Sequence, residues 1–273
     1  MSARPQPAGN PNASPKQLTL RYPDVCERCH KNLPVGSQAL YDFTRHEARC
    51  VNCAAVDDPG KPGASSEREY ERRRAGRQVR VKAQLGEIMG GVVLAATQEP
   101  QWTRAFLQGA LGEQKLAEAL VAIPEIKVLH DRRVPGTRGN IDHIVVGPAG
   151  VFVVDAKHYS GLIQTRVVGF FKPDLRLYVG RRNRSRLAED MGWQVQAVKR
   201  ALVAGGFEPV PPIIPVLCFV EGKWASRFPP EEFKGVRLAS TSSIRWHVAG
   251  VQVLTSEVIA SVHHALATAF PPK

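Results

Sequence analysis

Two sets of residues in this chain have the types and spacing that chemistry needs. The first is Asp142, Asp155 and Lys157. Asp142 lies inside the apolar run Asn140-Ile141-Asp142-His143-Ile144-Val145-Val146, and Asp155 and Lys157 close the run Val151-Phe152-Val153-Val154-Asp155-Ala156-Lys157. Both runs read as strands, and Gly147-Pro148-Ala149-Gly150 reads as the turn of a hairpin between them. Side chains alternate along a strand, so Asp155 and Lys157 share a face, and the hairpin brings Asp142 alongside. Two carboxylates beside a lysine can hold a hard divalent cation through oxygen and keep an activated water. Mg²⁺, or Mn²⁺ in its place, suits such a site, because Mg²⁺ takes one or two carboxylates and retains several waters. The same spacing also suits a strand-end cap and a surface ion pair of small energetic consequence. Asp142 resists that reading, since an ionised group is rare within an apolar β run.

The second set is Cys26-Glu27-Arg28-Cys29 and Cys50-Val51-Asn52-Cys53. Each CxxC knuckle offers two thiolates, the separation is that of a four-cysteine zinc ribbon, and Gly36 stands where a hairpin between the knuckles could turn. So small a module builds little core, and bound metal would supply its folding free energy. Two disulfides or a redox CxxC are the competing readings, although no thioredoxin-like βαβ pattern surrounds the motif. His30 and His46 are spare ligands beside four sulfurs that already close a site. Cys218, in the apolar run Val216-Leu217-Cys218-Phe219, reads as a core residue.

The elements that must position these residues follow from periodicity. Residues Trp102–Ala122 carry Phe106, Ala110, Glu113, Leu116, Ala117 and Leu120 at three- and four-residue steps, an amphipathic helix that Pro124 closes. Strands are expected at Ile126–Asp131, Ile141–Val146 and Val151–Ala156, with further strand-like segments at Leu162–Val168 and Arg176–Val179. A helix near Ala188–Val203, a buried strand at Ile213–Val220 and a final helix at Ser256–Ala269 complete the order. That order describes a mixed α/β sheet with helices packed on it. Upstream, residues 1–21 read as a disordered leader, 22–56 as the zinc ribbon, 57–100 as a linker and 101–273 as the main domain. Within the linker, Glu67–Ala83 is a basic run with helical propensity, broken once by Gly76; it would be a solvated connector or a DNA contact.

The stretch Gly109–Gly161 resembles the nuclease-related domain (NERD) family, a branch of the PD-(D/E)xK nuclease superfamily. The residues that carry the resemblance are Gly109-Ala110-Leu111-Gly112-Glu113, Asn140 through Pro148, Gly150 through Lys157, and Tyr159-Ser160-Gly161. Similarity continues through Gln194, and with the ribbon and the ending Phe270-Pro271-Pro272 it covers nearly all of residues 22–273. The resemblance implies a restriction-endonuclease-like fold and assigns roles. Glu113 is an additional acid near the metal, Asp142 the main ligand and Asp155 its complement. Lys157 orients water or stabilises charge on the phosphate, and Gln194 is a supporting helical glutamine. Asp155 departs from the family, which more often has Glu there. His143 and His158 alternate to the opposite face from their acidic neighbours and read as packing residues.

A net charge of +12 gives a field suited to phosphate backbones or anionic lipid. No signal peptide or spanning segment is evident, and the basic run lacks the large apolar residues that membrane insertion needs, so a cytoplasmic protein with no membrane partner is expected. The reading is a metal-dependent nuclease, a hydrolase of phosphodiester bonds, acting on DNA in processing or repair. The alternative is an inactive nucleic-acid-binding or adaptor protein using the ribbon and basic linker.

Overall fold

The computed structural model describes residues 16–51, 53–54 and 58–273. The chain divides into two compact units, Met1–Pro59 and Gly60–Lys273.

In the first unit the described strands are β1 (Lys16–Thr19), β2 (Asp24–Val25), β3 (Asn32–Leu33), β4 (Gln38–Asp42) and β5 (Glu47–Cys50). β1, β4 and β5 form an antiparallel sheet, and β2 and β3 form a small hairpin. Gly36 turns the chain into β4 with φ +87°, a backbone conformation glycine adopts without steric cost. The core is small: Leu20, Leu33, Ala39, Ala48 and three of the cysteines.

The second unit begins with α1 (Ala64–Ala96) and α2 (Gln101–Val121), then β6 (Lys127–Arg133), β7 (Asn140–Gly147) and β8 (Gly150–Lys157). Next come β9 (Leu162–Val168), β10 (Asp174–Val179), β11 (Arg182–Asn183), α3 (Arg186–Ala204) and β12 (Ile213–Phe219). The last elements are β13 (Lys223–Trp224), β14 (Glu232–Phe233), β15 (Val236–Ser240), α4 (Ile244–Val248) and α5 (Ser256–Ala269). Six strands form the central mixed sheet in the order β14-β15-β12-β8-β7-β6, with β8 antiparallel to β7 and parallel to β12. A four-stranded sheet, β11-β10-β9-β13, stands apart from it.

The amphipathic stripe of α2 explains its docking. Leu116 and Leu120 pack with Val145, Phe152, Val154 and Val216 in the main core. Each such side chain contributes about 1.5–3 kcal/mol by leaving water, and Leu120→Ala would cost about 2–5 kcal/mol. These inward residues are the odd positions of β7 and the even positions of β8. The other sheet face, with Ile144, Val151, Val153 and Asp155, is left for α3, which packs on β8 and β12.

The basic helix departs from its expected course. Gly76 does not break it, because a lone glycine costs a helix only about 1 kcal/mol and α1 is held against α2. The break falls at Gly86, with φ +76° and ψ 168°. The segment beyond folds back so closely that a Cβ on Gly90 would lie 2.9 Å from the Lys82 Cα. Among the described residues no helix is long and apolar enough to cross a membrane.

Candidate active site

Asp142 and Asp155 are brought side by side by the register of β7 and β8. The paired positions run from Gly147↔Gly150 to His143↔Val154, and the next step would be Asp142 opposite Asp155. There the ladder ends while β8 continues alongside β12 to Lys157↔Phe219. The strands therefore part at the two carboxylates, and the freed Ala156 N–H donates to Asp142 Oδ2 at 3.3 Å. Lys157 shares the face of Asp155 and forms an ion pair with it.

The electrostatics of this group are those of crowded like charges around one cation. Burial pushes the Asp142 carboxyl well above its usual range, Glu113 and Asp155 push it further, and Lys157 only partly offsets them. Burial alone would lower the Lys157 ammonium, but Asp155 and Asp142 outweigh it, so the amine is held protonated. Two carboxylates desolvated together call for added positive charge, which makes the pair a fitting place for a divalent cation.

Glu113 approaches from α2 at the same end of the sheet. A Cβ on the adjacent Gly112 would lie 2.9 Å from the His158 Cβ, just past the end of β8. Its carboxylate is not open, however. Oε2 accepts from the Gly63 N–H at 2.9 Å and Oε1 from the Ser66 hydroxyl at 3.0 Å, so Glu113 caps the start of α1. Burial raises its pKa to about 7, against the Ser66 hydrogen bond and with help from Asp131 and Asp155. Among the described residues, the only group of three or more metal-ligating side chains with donor atoms within 4.8 Å of one another is the four cysteines. The three acids therefore form no closed cage in this arrangement.

Gln194 lies on the buried side of α3, over the face that carries Asp155. The neighbouring Trp193 covers the approach to β7: a Cβ on Gly139 would meet its ring at 2.6 Å. The Gln194 Oε1 is buried without a hydrogen-bond partner among the described residues. An orphaned buried oxygen is costly, and a bound water or ion would satisfy it.

Asp131 carries a part that sequence reasoning missed. It stands in β6 at the register position facing Asp142, the one step the β6–β7 ladder leaves out, with φ +44°. Its carboxylate accepts from the Ser65 N–H at 2.5 Å and from Asn140 Nδ2 at 2.8 Å. Asp131 and Glu113 together take the first turn of α1, where free N–H groups and the helix dipole favour anions. Its only signal in the sequence is an acid opposite Asp142, visible once the register is known.

The flanking histidines behave differently from these acids. His143 is buried and its Nδ1 lies 2.8 Å from the Nδ1 of His130, one donating to the other. His158 binds Glu221 at 2.7 Å, and Glu221 also takes Lys115. A cleft of about 460 Å³ lined by Ser65, Ser66, Arg68, Arg72 and Asn140 borders the acids through Ser66 and Asn140.

In the first unit, the sulfurs of Cys26, Cys29, Cys50 and Cys53 converge as free thiols within 4.8 Å of one another. Cys29 Sγ and Cys50 Sγ are 3.8 Å apart, far longer than a disulfide and equal to the edge of a tetrahedron with metal–sulfur bonds of about 2.3 Å. Burial pushes the Cys26 thiol up, but the N–H groups of Cys29, Cys50 and Arg28 outweigh it and bring it down to about 6. His30 and His46 are exposed and outside this group; Cys218 is buried in the main core.

The second unit is a mixed α/β domain whose sheet opens at paired acids and is flanked by helices on both faces. Residues 108–220 match the family model described as Nuclease-related domain, NERD. The matched span is narrower than the nearly complete coverage the sequence resemblance implied. No curated protein and no solved structure matches the chain.

Proposed function

We propose that this protein is a metal-dependent nuclease that hydrolyses phosphodiester bonds in DNA. The observation that carries the reading is the juxtaposition of Asp142 and Asp155 where β7 and β8 part, with Lys157 on the same face. Asp142 and Asp155 would hold Mg²⁺ or Mn²⁺, with Glu113 joining them when its contacts to Gly63 and Ser66 open. A divalent cation bound there supplies Lewis-acid activation of water and neutralises phosphate charge. Lys157, fixed as an ammonium, donates hydrogen bonds to the attacking water or a phosphoryl oxygen and cannot accept a proton itself. Gln194, through its buried amide, orients groups on the α3 side of the site. The four cysteines would hold one structural zinc ion, a set of thiolates suited to a reducing compartment, and we place the protein in the cytoplasm.

One observation favours a second reading, an inactive nucleic-acid-binding or adaptor protein: both oxygens of Glu113 are engaged by the start of α1. A cleavage assay on plasmid, linear and single-stranded DNA, with Mg²⁺ or Mn²⁺ and with EDTA, separates the two. Metal-dependent cutting that EDTA abolishes supports the nuclease. Binding without cutting under every metal condition replaces it with the adaptor.

A further inference from the structure

The β9–β10 hairpin ends in two phenylalanines that the proposed chemistry does not use. Phe170 and Phe171 are 92% and 93% exposed, more than any other large hydrophobic residue among those described. Their rings meet edge to face with centroids 5.3 Å apart. The tip that presents them is braced. Gly169, at φ +96°, packs so tightly on the Lys172 carbonyl that a Cβ would lie 2.6 Å from its oxygen, and Pro173 fixes the return into β10.

The hairpin has two unlike faces below that tip. Val167 and Leu175, paired across the strands, extend the apolar side and are themselves exposed. On the other side Arg166 stands directly opposite Arg176. Like charges in that position are destabilising unless an anion lies between or above them. Asp174 serves Arg176 at 2.9 Å and Lys234 at 3.6 Å, while Arg166 has the Tyr178 ring beneath it. From Leu162 to Arg186 the chain carries seven Lys or Arg and one acid. An apolar wedge flanked by excess cation matches a phosphate-lined duplex, whose stacked bases receive apolar side chains once the backbone is held.

The base of the hairpin is tied to the candidate active site. Tyr159, two residues past Lys157, lies under Arg184 at 4.8 Å, and the Gly180 N–H donates to the Leu162 carbonyl at 2.8 Å. Seven strand residues carry the tip about 20 Å from that base. We propose that the hairpin is a duplex-DNA wedge. Phe170 and Phe171 insert between base pairs, and the exposed Arg166 and Lys172 hold the phosphates beside them. The insertion does not depend on the nuclease reading.

The test uses the full chain in EDTA, with short duplexes of one sequence carrying 2-aminopurine at successive positions. The wild-type protein should brighten the probe severalfold at one or two adjacent positions. The Phe170→Ser/Phe171→Ser variant, whose changed side chains leave no core, should keep its circular dichroism and bind within about threefold, yet lose the brightening. Absence of brightening with the wild-type protein, or equal brightening by the variant, overturns the wedge. So does loss by the variant of binding to anionic phosphatidylglycerol vesicles, or of a self-associated state, with DNA unstacking unchanged; the tip then serves a membrane or a second copy. Brightening without cutting in either Mg²⁺ or Mn²⁺ removes the nuclease reading and leaves the wedge. Cutting with brightening that the variant retains does the reverse.

Discussion

In the proposed nuclease Lys157 and Asp142 would have separable tasks, and substitution should split them. Asp142→Asn removes one of two charges that would hold the cation, so metal-dependent cutting should vanish while DNA binding in EDTA stays close to wild type. Lys157→Ala should lower kcat by about 10²–10³-fold and leave the metal concentration needed for half-activity nearly unchanged, because a protonated amine cannot ligate an ion. A metal titration of both variants checks this; a large shift in metal requirement for Lys157→Ala would refute the division. These residues were legible from alternation alone: the parity of 155 and 157 and the hairpin turn at 147–150 put three side chains together. Asp131 was not, because a charged strand end reads as a turn. Nor was the engagement of Glu113, since its partners Gly63 and Ser66 lie 50 and 47 residues upstream and no local pattern encodes that pairing.

Elements were readable where one period dominates. α2, β7, β8, α3, β12 and α5 fall close to their expected positions, since each has a strong apolar stripe or run. β14, β15 and α4 have only two to five residues, too few for a period to register. The kink of α1 depends on where the helix folds back, which tertiary packing decides. Because α1 is fastened by Glu113 and Asp131, Glu113→Ala should leave the Gly63 N–H and the Ser66 hydroxyl unpaired and cost about 1–3 kcal/mol in urea unfolding. The ribbon should carry about one zinc per chain, with chelation melting the first unit; two disulfides and no metal would end that idea. α5 supplies a pH dependence. Burial, then Lys127 and Arg132, depress His263 to about 4 from 6.5. Between those values the unfolded chain takes up a proton that the folded chain refuses, so stability falls as pH drops through the window, by about 3 kcal/mol at most for this group. His263→Leu should flatten that part of a stability-versus-pH curve measured by urea midpoints.

At the scale of the whole molecule, a net charge of +12 shows a nucleic-acid surface only if the cations are available. The basic run of α1, the obvious candidate in the sequence, is largely engaged within the fold. Glu69 accepts from both Arg72 and Arg73, which hold its carboxyl down to about 2. Arg73 also lies over the rings of Trp102 and Phe106, Arg74 meets Glu99 at 3.2 Å, and Arg77 donates to Thr97. These arginines knit α1 to α2 and its own return segment. Lys172, Arg181 and Arg182, on the β9–β10–β11 sheet, are exposed and sit in a stretch with a single acid. The salt dependence of duplex binding weighs one surface against the other, because every phosphate that the protein ceases to neutralise takes about 0.9 off the slope of log K against log salt. Replacing Lys172, Arg181 and Arg182 with Gln should shallow that slope by about 2–3. Replacing Arg73 and Arg74 with Gln should change it by less than about one, and should instead lower the unfolding midpoint by loosening α1 from α2. The opposite pattern, a slope that follows the α1 arginines and ignores the hairpin sheet, would move the DNA track to α1 and leave the hairpin without a role in binding.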